Sequence, residues 1–346
     1  MTVTKPFLIP KALVWKAYQL VKANKGAGGV DQQTLTDFDK DLSRNLYKIW
    51  NRMSSGTYFP PPVKTVSIPK KNGGERILGI PTVSDRIAQM VVKLVFEPKV
   101  EQIFLKDSYG YRPNKSAVEA VGVTRKRCWR KNWVLEFDIK GLFDNIDHAL
   151  LMKAVQKHTS CKWAVLYIER WLKAPMEMPD GTHVKREKGT PQGGVISPIL
   201  ANLFLHYTFD LWMERNAPNV QWCRYADDGL LHCSSERQAK YLLSCLNKRF
   251  QECGLELHPE KTQIVYCKDD DRKGKYSNTS FDFLGFTFRP RGARNKYGKM
   301  FTSFLPGVSK KALKSMTSKT RKTNLRNRTD LGLKAISKIY NSVLRG

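Results

Sequence analysis

The chain has 346 residues, 41% of them hydrophobic and 11% aromatic, which excludes wholesale disorder and predicts two or three subdomains. Sixty Lys and Arg against 31 Asp and Glu give a net charge of +29, so a polyanionic partner is expected; nucleic acid comes before an anionic membrane surface, because the basic residues do not lie on one amphipathic helix. The seven cysteines form no CxxC pair, no run of about 18 apolar residues occurs and the N-terminus has no cleavage pattern, which predicts a cytoplasmic chain with no membrane association, disulfide framework or zinc site.

Leu13, Ala17, Leu20 and Val21, then Leu35, Phe38, Leu42 and Leu46, recur at helical spacing and predict helices within residues 1–60. The Gly-rich stretch between them, KANKGAGGVD (22–31), lacks the GK[ST] ending of an ATP-binding loop. It leaves open a nucleic-acid backbone contact or a plain loop. Residues 63–80, VKTVSIPKKNGGERILGI, predict a β-hairpin turned at Asn72-Gly73, with Lys70, Lys71 and Arg76 at or beside its tip. A helix is expected from Ser84 to Phe96, with Asp85 favouring its N-terminal end.

WVLEFDI (133–139) predicts a strand carrying Asp138, and residues 148–173 a helical stretch. Residues 189–215 predict a Gly/Pro-rich turn that leads into a helix. QWCRYADDGLLHC (221–233) predicts a hairpin, followed by a helix near 236–253 and strands over 254–266 and 281–290. The last 58 residues hold sixteen Lys/Arg and one acid, Asp330, about half of the net charge. Apolar spacing at Ala312, Leu313 and Met316, then at Leu333, Ile336, Ile339 and Tyr340, predicts two basic helices that contact a polyanion.

The pair Asp227-Asp228 raises a chemical question. Two adjacent carboxylates between apolar runs repel one another and lose hydration, and a divalent cation removes both penalties. The following Gly229 is expected to supply the positive φ of the turn. Two-ion chemistry on a 3′-hydroxyl and a leaving pyrophosphate needs a further carboxylate from another strand, and Asp138 is the natural donor. Aspartic-protease chemistry would instead take its two carboxylates from separate loops.

YADD (225–228), FDIKGLFDNIDH (137–148) and GTPQGGVISPILANLFLH (189–206) together resemble the polymerase core of reverse transcriptases, the bacterial group II intron-encoded variety above all. IPKKNGGERILGIPTVSDRIAQ (68–89), FEPKVEQIFLKDSYGYRPNKSAVEAV (96–121), GLELHPEKTQIVY (254–266) and FDFLGF (281–286) match further blocks in family order, and KANKGAGGVD resembles the family's N-terminal extension motif. The resemblance implies an α+β right-hand polymerase fold: fingers at 1–100 and 147–195, palm at 101–146 and 196–290, and the start of an incomplete helical thumb or maturase domain at 291–346.

The resemblance also implies roles for single residues. Asp138, Asp227 and Asp228 are the catalytic carboxylates, and with the Ile139 carbonyl they hold two Mg²⁺ ions, for which Mn²⁺ can substitute. Lys70 and Arg76 hold the incoming triphosphate. Phe143, five positions after Asp138, blocks a ribose 2′-hydroxyl; Gln192 positions nucleotide and template at the palm–fingers junction, and Lys261 contacts the primer or the nucleotide phosphates. Leu284 and Gly285 grip the primer, and Lys310, Lys311 and Lys314 are assigned to primer and template. Arg112 and Pro113 lie in a family block without an assigned contact.

The expected substrates are dNTPs and a DNA primer on an RNA template, with intron RNA as a further partner and a homodimer left open. The thumb is expected to stop early at Leu344-Arg345-Gly346, with no DNA-binding or endonuclease domain. Two other readings remain: a splicing cofactor for which RNA binding is the main role, and a domesticated or defence-associated reverse transcriptase. The intact PQGGVISP (191–198) leans towards the intron lineage.

Overall fold

The computed structural model describes residues 5–69 and 75–344 and divides into two compact units, residues 1–265 and 266–346. In chain order the strands are β1 (Val63–Pro69), β2 (Glu75–Ile80), β3 (Trp133–Asp138), β4 (Met176–Glu177), β5 (His183–Val184), β6 (Gln221–Tyr225), β7 (Asp228–Cys233), β8 (Gln263–Tyr266), β9 (Phe281–Phe283), β10 (Phe286–Arg294) and β11 (Met300–Val308). Many helices begin at legible caps. Thr34 and Asp37 form a capping box, and Thr82, Ser116, Asp147, Ser235 and Ser309 each accept the backbone N–H three residues on.

The first unit holds two sheets. One has the order β2-β1-β4-β5, with β1 and β2 antiparallel as predicted and Ile68 opposite Arg76. The predicted turn, Lys70 to Gly74, lies outside the described residues, so Lys70 does too. β2 leads into the helix Val83–Glu101, which is largely buried and packed by the helix Lys11–Asn24. Its residue Arg86 donates to the carbonyls of Lys25 and Ala27, so the Gly-rich stretch is fastened to this helix.

The other sheet has the order β6-β7-β3-β8, and β6, β7 and β3 run antiparallel. One face carries Phe137, whose ring lies 5.2 Å from Phe209 and 5.9 Å from Phe250 on the helices that cover it. On the other, the Cys223 thiol reaches the Ala120 carbonyl of the helix Ala117–Cys128 at 4.0 Å. Alternation along β3 and β7 thus buries both faces, which is why these strands read as continuous apolar runs.

Four expectations change. Residues 254–266 are not one strand: a single bridge joins Leu257 to Ile139, a 3₁₀ turn spans Pro259–Lys261, and only β8 is extended. Pro259 has no N–H to give a ladder, which breaks the run. Residues 281–290 are two strands, because Leu284 (φ 50°) and Gly285 (φ 84°) make a tight turn between β9 and β10. The helix predicted from 189–215 is Ser197–Asn216 with a π turn at His206–Asp210 inside it. Finally, β10 and β11 form a nine-residue-per-strand hairpin where only a basic tail was read.

The second unit gathers Phe281, Phe288 and Phe304 beneath that hairpin, with the rings of Phe281 and Phe288 stacked at 4.7 Å. The helices Lys310–Lys322 and Leu333–Leu344 follow, as predicted. Among the described residues, no helix is long and apolar enough to cross a membrane.

Candidate active site

β3 and β7 pair with Asp138 directly opposite Asp228, and Asp227 occupies the β6–β7 turn next to them. The N–H of Ile139 donates to the Asp227 carbonyl at 3.2 Å, which ties the end of β3 to that turn. Sequence reasoning gave Asp228 its place by adjacency alone; the register gives it a structural one. The three carboxylates therefore converge from two strands and one turn.

Their electrostatics follow from crowding. Burial pushes the Asp228 carboxyl up to about 7, reinforced by the charges of Asp227 and Asp138. Burial, then Asp138, raises Asp227 as well. Lys261 places its ammonium 2.7 Å from Asp138 Oδ2. Its pKa is raised: burial acts against its charge, and the hydrogen bond to Asp138 outweighs that, helped by Asp228 and Asp227.

The turn differs from expectation. Gly229 does not supply the positive φ; Ala226 does, at 55°. A left-handed conformation costs a residue with a Cβ about 1–2 kcal/mol, and the surroundings hold it there. Gly110 approaches so closely that a Cβ on it would strike the Ala226 backbone. Gly229 serves another purpose: the Phe137 ring lies where its Cβ would be.

Arg224, just before this turn, escaped the sequence reading. It is fully buried, and its guanidinium donates to Asp210 (2.8 and 2.7 Å), Asn202 Oδ1 (3.1 Å), Ser108 Oγ (2.8 Å) and the Ala226 carbonyl (3.2 Å). The signal was a lone cation in the apolar run Trp222-Cys223, with a lone acid, Asp210, in the apolar helix upstream.

Arg76 and Gln192 meet: Arg76 Nε donates to Gln192 Oε1 at 2.6 Å, and Gln192 Nε2 donates to Asp144 Oδ2 at 3.1 Å. The loop that carries Gln192 is pinned from two sides. The N–H of Gly79 in β2 donates to the Gln192 carbonyl at 2.7 Å. Gln89 Oε1 accepts from the N–H groups of Val195 (2.7 Å) and Ile196 (3.3 Å), and Gln89 Nε2 donates to Asp85 at 2.9 Å. Asp85 stands in the first turn of its helix, as expected; its carboxylate is also fully buried and accepts from Tyr58 Oη (2.9 Å) and Trp171 Nε1 (2.7 Å).

Phe143 is buried, with its ring edge-on to Tyr111 at 6.2 Å. Arg112 supports the fold: it donates to Glu101 and to the carbonyls of Leu105 and Ser108. In the second unit, Leu284 and Gly285 sit at the β9–β10 turn, and Lys310, Lys311 and Lys314 lie on a helix that buries none of its residues. That helix and its residues Leu313, Thr317 and Arg321 line a shallow groove.

Among the described residues, no three His, Cys, Asp or Glu side chains close a metal cage by themselves. A divalent ion that keeps waters and substrate phosphates needs only one or two carboxylates. The three acids meet that requirement: oxygen donors only, with a mutual repulsion that a cation relieves.

The sequence pattern of the reverse transcriptase (RNA-dependent DNA polymerase) family matches residues 68–288. The chain is 37% identical over 204 residues to the group II intron-encoded protein LtrA of Lactococcus lactis subsp. cremoris, covering 58% of this chain and 33% of that protein. It thus spans about a third of the length of that relative. It is 31% identical over 324 residues to the protein YkfC of Escherichia coli (strain K12), with 82% of each covered. Among solved structures, telomerase from Candida albicans, in complex with a fragment of telomeric RNA, superposes with a TM-score of 0.51 at 14% identity, covering 74% of this chain and 49% of that one. That likeness shows a shared α+β polymerase fold.

Proposed function

Because the chain belongs to the reverse transcriptase family, we propose that it is an RNA-directed DNA polymerase of the group II intron type, extending a DNA primer on an RNA template. One observation carries the reading: the register that sets Asp138 opposite Asp228 with Asp227 in the adjoining turn. Matching relatives include a bacterial group II intron-encoded protein and a yeast intron protein, which supports the intron lineage and intron RNA as a partner; a bacterial cytoplasmic setting is part of the same reading.

Asp138, Asp227 and Asp228, with the Ile139 carbonyl, would hold two Mg²⁺ ions, or Mn²⁺ in their place. When bound, such ions supply Lewis acidity to the 3′-hydroxyl and neutralise the leaving pyrophosphate. The chain's own residues do the rest. Lys261 neutralises Asp138 and keeps a cation beside the reacting phosphate. Arg76, together with Lys70, clamps the triphosphate of a dNTP. Gln192, oriented by Arg76 and Asp144, fixes the nucleotide against the template. Phe143 closes the space a 2′-hydroxyl would need.

In the same reading Leu284 and Gly285 guide the primer, while Lys310, Lys311 and Lys314 contact backbone phosphates. The fingers comprise 1–100 and 147–195, the palm 101–146 and 196–290, and the thumb begins at 291. The groove on the exposed basic helix also favours a second role, binding folded intron RNA as a splicing cofactor.

Primer extension on RNA and DNA templates, with dNTPs and then rNTPs, tests the proposal. Incorporation of dNTPs on RNA that disappears in Asp227→Asn is expected. Extension by Asp227→Asn at the wild-type rate would refute the carboxylate assignment, and equal use of rNTPs would point to an RNA polymerase. RNA retention by Asp227→Asn, weakening steeply with salt, would show the second role to be separable.

A further inference from the structure

We propose that Arg224 is a positioning residue for this reaction: its guanidinium, seated on Asp210, sets the direction of the Asp227 carboxylate by holding the peptide that precedes it. This rests on the polymerase reading above. Arginine carries five N–H donors in a fixed plane. Here all five have acceptors: two on Asp210, one on Asn202, one on Ser108 and one on the Ala226 carbonyl. The group is fully buried, so each bond restricts it.

The Ala226 carbonyl belongs to the peptide on the N-terminal side of Asp227. The Asp227 carbonyl, on the other side, accepts from Ile139 N–H. Peptide units are planar, so fixing both flanking units fixes the direction of the Asp227 Cα–Cβ bond. The same arginine reaches the opposite wall of the turn. Asn202 accepts from Arg224 through Oδ1 and donates through Nδ2 to the Gly110 carbonyl at 2.6 Å, and Gly110 abuts Ala226. Asp210 neutralises the guanidinium at 2.7 Å, so its charge is not drawn onto the catalytic carboxylates.

The π turn at His206–Asp210 belongs to the same device. A wider turn leaves carbonyls without their usual helical partners. Arg249 fastens this turn as well, donating to Tyr207 O and Thr208 O at 3.1 Å each. Asp210, the last residue of that turn, is where the Arg224 guanidinium docks.

The test uses the full chain and Mn²⁺ alone as a paramagnetic probe, titrated by electron paramagnetic resonance, with Asp227→Asn to identify signal from the site. Arg224→Lys, checked for folding by circular dichroism, should weaken Asp227-dependent Mn²⁺ binding by roughly 10–100-fold, as loss of a ligand-orienting partner does. Its kcat should fall with little change in the dNTP KM. Ser108→Ala removes one acceptor of the guanidinium and should weaken Mn²⁺ binding roughly tenfold, the lower end of what a hydrogen bond to a charged group is worth. Should Arg224→Lys not fold, Ser108→Ala decides.

A purely structural arginine would lower thermal stability and leave the Mn²⁺ affinity of the folded protein unchanged; that result overturns the proposal, as does a wild type without Asp227-dependent binding. Asp227-dependent Mn²⁺ binding that weakens in these variants, in a chain that extends no primer, would sink the polymerase reading and leave the positioning role standing.

Discussion

Exchanging Asp85 and Gln89 chemistry gives a sharp test of how the loop that carries Gln192 is held. Asp85 can only accept, so it forces the Gln89 amide to point Nε2 inward and Oε1 towards the N–H groups of Val195 and Ile196. In Asp85→Asn the oxygen can still serve Tyr58 and Trp171, but the new amide then faces Gln89 Nε2, donor against donor. If Gln89 turns over, the conflict moves to Val195 and Ile196. Either way one buried donor loses its partner, a cost of about 1–3 kcal/mol.

Gln89→Glu alone sets two carboxylates face to face and should cost at least as much. Asp85→Asn with Gln89→Glu restores every pairing, because the introduced carboxylate accepts from the new amide and from both backbone donors. Urea unfolding of the four proteins, followed by circular dichroism, should give a coupling of at least about 2 kcal/mol in the restoring direction. The dNTP KM should rise in both single variants, since Gln192 lies three residues from the anchored N–H of Val195, and recover in the double variant. Additive stability losses, within about 0.5 kcal/mol, would show that the network is not wired as described.

Three further outcomes are expected. His232 is fully buried and its folded pKa is pushed down to about 3 by burial and then by Arg127 and Lys131; the unfolded imidazole, at about 6.5, takes up protons first, so its contribution is intact above pH 6.5 and lost as pH falls towards 3. By pH 5 the loss is about 2 kcal/mol, and His232→Gln should flatten the pH dependence of urea stability by that amount. Gly229→Ala drives a methyl into the Phe137 ring and should cost about 1–3 kcal/mol by thermal unfolding; an unchanged midpoint would contradict the packing. Phe143→Val should raise rNTP use relative to dNTP in primer extension, while a variant equally selective for dNTPs would leave Phe143 as core packing beside Tyr111.

The sequence made some of this plain. Apolar periodicity placed most helices, and alternation of turn and apolar runs placed β1, β2, β3, β6 and β7. Asp138 and Asp227-Asp228 stood out because charge inside an apolar run is rarely idle. Other features were hidden for physical reasons. The Leu284-Gly285 turn was concealed by a leucine in a left-handed conformation, which spacing does not reveal. Gly229 was credited with a backbone role because glycine has two uses, freedom of φ and absence of a Cβ, and only packing tells them apart. Arg224 and Asp85 belong to networks among residues far apart in the chain, and a single sequence carries no record of who meets whom.

The Phe137–Gly229 fit bears on how the site comes into being. A strand slipped by one residue presents its side chains to the wrong face, and one slipped by two would press Phe137 onto a neighbour with a side chain. Gly229 is the single glycine of β7, and Phe137 sits directly across from it. That steric match works as a key in the core: it admits one alignment of β3 with β7, and in that alignment the next pair along is Asp138 with Asp228. The facing of Asp138 and Asp228 is thus settled during folding, by an aromatic ring buried in the core.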